Sequence, residues 1–358
     1  MATWINSPQQ LDAYLALRPT RIGLDTEFIR ERTYWPQLAL VQMAIDQHIL
    51  LIDPLQPGMA AALRPWLEDT SITKIMHSAS EDLVAFQHAC GCLPRPLFDT
   101  QMAAALSGVG AGMGYQKLVA QITGVELEKG EQRSDWMRRP LSDSQLHYAA
   151  ADVVHLFALH DHLLAALQSK QRTHWQEEDA TRLIDGIAND QGELWPHLSL
   201  RAAQFMEPPA QRVLLRLLRW RDEQARKSDR PRSWILDNEL ACSLAKAPPA
   251  SLQALEAILE RNPKAPRKLA EALWQALTQP LPDEADAPVA VDNGERFRAP
   301  LKRLQQAVAT HAAQLGLPDG VLASRKQLEA WLEQRQPPSS LTAWRRTELT
   351  ALITPLLP

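Results

Sequence analysis

Cysteine is scarce in this 358-residue chain, with only Cys90, Cys92 and Cys242 present. An odd count without framework spacing excludes a disulfide scaffold and points to a reducing compartment. Cys90-Gly91-Cys92 has no second pair to complete a structural zinc site. Long hydrophobic runs are missing too: no uninterrupted stretch approaches 18 apolar residues, and the N-terminus MATWINSPQQ lacks a basic region followed by an apolar core. No membrane partner or leader is expected, and cytoplasmic residence is the default. Positive charge is not in excess, since the net charge is −4, split as −5 over residues 1–170, −2 over 171–290 and +3 over 291–358. Such a balance argues against nucleic acid as a partner unless the acids are compensated locally. What remains is an ordinary globular composition, 45% hydrophobic and 22% charged, with room for two or three domains.

The informative residues are acids and one tyrosine. Around GLDTEF, Ile22, Leu24, Thr26 and Phe28 alternate with Gly23, Asp25 and Glu27, which predicts a strand burying one face and presenting both carboxylates on the other. Side chains at i and i+2 on a strand lie roughly 6.6 Å apart, a spacing suited to a pair of divalent cations. Oxygen ligands favour Mg2+ or Mn2+, and carboxylates this close raise one another's pKa unless a cation neutralises them. In HSASEDL, Asp82 falls in the first turn of a predicted helix, with Glu81 as its rival. Farther on, Ser142 and Gln145 read as a capping box opening a helix on which Tyr148 and Asp152, at i and i+4, project from one face.

These motifs, together with RERTYWPQLALVQ, FDTQMAAAL, GYQKLV, KGEQRSDWMRRPLSDSQLHYAAADV and LASRKQLEAWL, closely resemble the ribonuclease D family over nearly the whole chain. The resemblance implies a DEDD exonuclease of the tyrosine subgroup, with Asp25, Glu27, Asp82, Tyr148 and Asp152 as its catalytic set and the four acids as ligands of two divalent ions. It implies an α/β, ribonuclease H-like domain with a mixed sheet. The implied activity is 3′–5′ removal of nucleotides from RNA, with tRNA precursors and other small structured RNAs as substrates and 5′-mononucleotides as products. It also implies a substrate-contacting lysine at Lys129. Phe28, His77 and Arg133 are further substrate-binding candidates, each weighed against a structural role, and Trp136, Arg138 and Arg139 share the polar segment before the tyrosine. A DNA-trimming exonuclease on the same scaffold and a non-catalytic nucleic-acid-binding module are the alternatives. Oligomeric state is open, with a monomer as the default.

Organisation along the chain supports three units. Residues 1–200 alternate strand-like segments (RIGLDTEF, LALVQMAI, HILLID, ITKIMH) with helical ones, as an α/β domain does. Beyond that point the strand signal stops. Two small helical bundles are expected at 203–277 and 295–358, both resembling the HRDC domain, separated by a Pro- and Asp-rich linker at 278–294. On this reading a fragment ending near residue 200 keeps its chemistry. Residues 201–232 hold nine Lys or Arg against four acids, including Arg212, Arg216, Arg219, Arg226 and Lys227, a band that is either a solvated helix face or a phosphate track.

Overall fold

The computed structural model describes residues 2–128, 130–262, 265–292 and 294–357. Six strands form one mixed sheet: β1 (Thr3–Ile5), β2 (Arg21–Ile29), β3 (Gln37–Ile45), β4 (His48–Ile52), β5 (Thr73–Met76) and β6 (Leu97–Asp99), in the order β1-β4-β3-β2-β5-β6. β2, β3 and β4 pair antiparallel, while β5 and β6 continue parallel from β2 and β1 lies parallel to β4. The expected α/β class with a mixed sheet is what the chain adopts.

The period-2 pattern of β2 does what alternation demands. Ile22 and Leu24 enter one core with Met43, Leu63 and Phe86, whereas Gly23, Asp25 and Glu27 take the opposite face. That second face is covered by the helices Asp143–Val154 and Leu156–Ser169, the first opened by the expected Ser142/Gln145 capping box. Together they form a stretch long and apolar enough, by length and composition, to cross a membrane. Here Leu156, Leu159, Leu163 and Leu167 are instead buried in the protein core. Gly23 permits the close approach of these helices: a Cβ on it would lie 3.1 Å from Leu156 Cδ1 and 3.2 Å from the Ala44 Cβ.

The chain divides into two compact units, one made of residues 1–29, 36–189 and 296–358, the other of 30–35 and 190–295. In the first, the C-terminal helices do not form a separate bundle. Leu304, Val308, Trp331, Trp344 and Ile353 share a single core with Phe98, Leu159, Leu167 and Trp175. Trp175 and Trp344 stack with centroids 4.1 Å apart and planes 9° from parallel. The indole Nε1 of Trp344 donates to Asp179 at 3.0 Å, and Arg345 pairs with the same carboxylate. Helical periodicity shows which face a helix buries but not against what, so sequence alone left this face to its own bundle.

In the second unit the helices Pro208–Ser228, Asn238–Lys246, Leu252–Glu260 and Ala270–Thr278 enclose a core of Leu214, Leu217, Leu240, Leu255 and Leu273. The stretch expected as a linker is strapped to the first of these helices. Arg219 binds Asp283 at 2.8 and 3.0 Å, Arg216 binds Glu284, and the Gln211 amide both donates to Ala290 O (2.9 Å) and accepts from Ala290 N (2.6 Å). Asp283 and Glu284, two of the acids that made the segment read as a linker, are groups that pin it. Residues 30–35 complete this unit: Tyr34 is buried, its hydroxyl donates to Asp222 at 3.0 Å, and Asp229 accepts from the amides of Tyr34 and Trp35, each at 3.0 Å.

Three outcomes are expected. Trp344→Ala should cost about 3–5 kcal/mol in denaturant unfolding, the range for deleting a large buried aromatic side chain. A fragment ending near residue 200 should lose cooperative unfolding in circular dichroism, because the Trp175 face of its core is uncovered; a sharp transition at the full-length temperature would show the shared core to be dispensable. Gly23→Ala should destabilise by about 1–3 kcal/mol through overpacking against Leu156.

Candidate active site

Three elements bring the acids together. β2 carries Asp25 and Glu27, and its pairing with β3 is regular until a bulge between Glu27 and Phe28, where Ala39 is the extra residue. Bulges next to sites re-aim the side chains beside them. Beyond it Phe28 is partly buried against the Ile22 and Leu24 core. The helix Ser80–Cys90 supplies Asp82 from its first turn; Asp82 is buried at 8% exposure and accepts a hydrogen bond from the Thr26 hydroxyl, whereas Glu81 is exposed. The helix Asp143–Val154 supplies Tyr148 and Asp152 one turn apart.

The electrostatics of the cluster are those of four carboxyl groups removed from water together. Burial, followed by the charges of Asp82, Asp152 and Glu27, pushes Asp25 well above the usual carboxylate range. Burial and then Asp152 and Asp82 push Glu27 up to about 9. Burial raises Asp82 to about 7 against the opposing hydrogen bond from Thr26, and raises Asp152 to about 7 against a hydrogen bond from Tyr148. The Tyr148 phenol is itself raised, first by burial and then by Asp152, Glu27 and Asp25. Among the described residues no three His, Cys, Asp or Glu side chains already close around a common point at ligand spacing. The chemistry of the four acids nonetheless fits a divalent cation: all are hard oxygen donors, desolvated and short of counter-charge.

Residues that sequence reasoning passed over hold this arrangement. Asp99, known only from FDTQMAAAL, accepts from four amides, Ser78 (3.1 Å), Ala79 (2.9 Å), Gln101 (2.8 Å) and Met102 (3.2 Å). It thereby fixes the entry to the Asp82 helix, where Ser78 takes a left-handed φ of 58°. The Tyr115 hydroxyl donates to Ala151 O (3.2 Å) and accepts from His155 N (3.3 Å), clamping the junction just beyond Asp152. A chain-order reading has no signal for either, since both act through contacts distant in sequence.

The substrate-binding candidates fare unevenly. His77 has both ring nitrogens engaged, by Thr100 Oγ1 (2.9 Å) and Met113 O (3.0 Å). Arg133 is exposed in the segment before the tyrosine helix, and Lys129 lies outside the described residues. Trp136 is buried with its ring 6.1 Å from that of Tyr148, and Arg139 grips Asp53 (2.7 Å) and Ala39 O (2.6 Å), so both serve as framework under the site. The basic band is likewise drawn inward: Arg216, Arg219 and Arg226 pair with Glu284, Asp283 and Asp222. Lys227 pairs with Glu223 on the surface, while Arg212 stays exposed.

A family model described as 3′-5′ exonuclease matches residues 2–168, and the HRDC domain model matches residues 210–277. Ribonuclease D of Xanthomonas oryzae pv. oryzae is 64% identical over 358 residues, spanning 100% of this chain and 99% of the relative. That of Pseudomonas paraeruginosa is 34% identical over 350 residues, covering 92% of this chain and 89% of its own. Among solved structures, Escherichia coli RNase D, an exoribonuclease involved in structured RNA processing, superposes with a TM-score of 0.83 at 28% identity, covering 99% of this chain and 98% of that one. The catalytic core of RRP6 from Trypanosoma brucei, at TM-score 0.59 and 22% identity over 80% of each chain, shares the fold. The acids and tyrosine brought together by β2 and two helices, the exonuclease and HRDC matches and the full-length relatives converge: the chain belongs to the ribonuclease D family and is a metal-dependent 3′–5′ exoribonuclease.

Proposed function

We propose that Asp25, Glu27, Asp82 and Asp152 hold two divalent ions, Mg2+ or Mn2+, and with Tyr148 hydrolyse the terminal phosphodiester of structured RNAs such as tRNA precursors, releasing 5′-mononucleotides in the cytoplasm. The observation that supports this reading is the gathering of Asp82 and Asp152, each from a different helix, around Asp25 and Glu27 of β2. Bound ions would supply Lewis-acid activation of water and neutralise charge on the leaving 3′ oxygen. The protein's own contributions are separable. The acids exchange protons for cations as they bind. Tyr148 holds its proton tightly, so its role is to orient the attacking water and donate to Asp152 rather than act as a base. Phe28 has its ring against the core, and the family's RNA preference is assigned to contacts with the 2′-hydroxyl and single-stranded access rather than to base edges.

Three outcomes test this. Asp25→Asn and Asp152→Asn should abolish hydrolysis of a 3′-extended tRNA with the fold intact, because an amide is a poor ligand for a hard cation; near wild-type turnover in saturating Mg2+ would contradict the ligand assignment. Tyr148→Phe should retain ion binding and RNA affinity while turnover falls roughly 10²-fold. The third outcome is a pH dependence. Carboxyl groups whose pKa rises on folding bind protons more tightly in the folded chain, so their stabilising contribution is complete below the ordinary carboxylate range. It is lost as pH climbs through about 7 for Asp82 and Asp152 and about 9 for Glu27. Ion-free protein should therefore melt at falling temperature from about pH 5 to about pH 9, with Asp25→Asn flattening the decline and added Mg2+ reversing it most at the alkaline end. A melting temperature that rises over this window would contradict the shared-charge description.

A further inference from the structure

Gln42 sits in the middle of β3 with 0% exposure, and neither its amide nitrogen nor its amide oxygen has a hydrogen-bond partner. Burying both ends of an amide without partners is costly, and native proteins rarely tolerate it without a reason in the site. The register places Gln42 directly across the β2–β3 ladder from Asp25, with Leu51 opposite it on β4. Residues facing each other across an antiparallel ladder share one face of the sheet, with Cβ atoms about 4.5–5.5 Å apart. Its neighbours two residues away identify that face: Leu40 packs in a cluster with Ala149, and Ala44 lies against Leu156 and Gly23. Gln42 therefore lies beneath the stretch of helix that carries Asp152 and beside Asp25.

Asp25 is the complement to this orphaned amide. It is the polar side chain directly opposite on the same face, and a carboxylate oxygen can accept the amide N–H that Gln42 leaves unpartnered. We infer that Gln42 is a positioning residue for the metal-loaded enzyme: its amide N–H donates to one carboxylate oxygen of Asp25 and holds the other toward the ion site. This inference rests on the ligand role proposed for Asp25 and deepens it. A donor behind a ligating carboxylate fixes its orientation, and loss of such partners typically costs 10–100-fold in ion affinity or activity.

The full-length Gln42→Met variant separates this role from a merely structural one. Methionine matches glutamine in length and removes both orphaned atoms, so ion-free protein should melt at a temperature equal to or above wild type. Mn2+ affinity by titration calorimetry should nevertheless fall 10–100-fold, with a matching rise in the Mn2+ concentration needed for half-maximal hydrolysis of a short oligoribonucleotide. Wild-type Mn2+ affinity in the variant, whatever its stability, would overturn the inference and leave Gln42 as a core amide solvated by a buried water. A measurement on the unaltered protein guards against a variant that fails to fold. The Gln42 side-chain amide resonance, identified by its absence in Gln42→Glu, should shift and gain exchange protection on addition of Mg2+. A resonance unmoved at saturating Mg2+ would overturn the inference equally. Failure of the underlying ligand assignment has a different signature: Asp25→Asn would itself bind Mn2+ with wild-type affinity.

Discussion

The repulsion among four carboxyl groups stripped of water is the constraint around which the rest of the first unit is arranged. No packing of apolar side chains asks for Asp25, Glu27, Asp82 and Asp152 to lie together; burial drives each toward its neutral form, and the neighbouring acids add to this at Asp25 and Glu27. The arrangement is held by structure formed elsewhere. β2 is the central strand on which both neighbouring ladders depend. Asp99 gathers four amides to set the entry of the Asp82 helix, and Tyr115 clamps the backbone just past Asp152. Gly23 removes the one side chain that would keep the Tyr148 and Asp152 helix pair at a distance. Strain at the site is thus balanced by cores on both faces of the sheet.

The C-terminal helices belong to the same balance. By stacking Trp344 on Trp175 and burying Trp331, they complete the core that also takes in Leu156, Leu159, Leu163 and Leu167. The second unit is organised differently, around its own core and a set of arginine–acid pairs that consumes most of its apparent basic band. Counting Lys and Arg along a helix overstates the charge available to a phosphate backbone when the partners lie far away in sequence.

Much of the site was legible in the chain because its signals are local. Alternation through Ile22 to Glu27 specifies which face carries the acids, and the Ser142/Gln145 capping box fixes the phase of the helix that presents Tyr148 and Asp152. The four longer strands could be read from their apolar runs, while β1 and β6, three residues each, are too short to show a period. What could not be read is whatever depends on contacts between distant segments. Asp99, Tyr115 and Gln42 fall in the stretches FDTQMAAAL, GYQKLV and RERTYWPQLALVQ, yet nothing local in those stretches assigns them a role, and the shared core of the C-terminal helices is a property of complementary faces. Asp283 and Glu284 read as part of a solvated linker for the same reason, and in the structure they are partners of Arg219 and Arg216.

The central claim is that the acids carry protons in the ion-free protein and surrender them to cations. Calorimetric titration of Mn2+ into the full-length protein, repeated in buffers of different ionisation enthalpy, counts those protons directly. The account predicts net proton release near pH 6, where Asp82 and Asp152 at about 7 and Glu27 at about 9 remain largely protonated, fading as pH passes about 9. Mn2+ binding without proton release at pH 6 would contradict it, because the acids would then already be ionised and the repulsion on which the site is built would be absent.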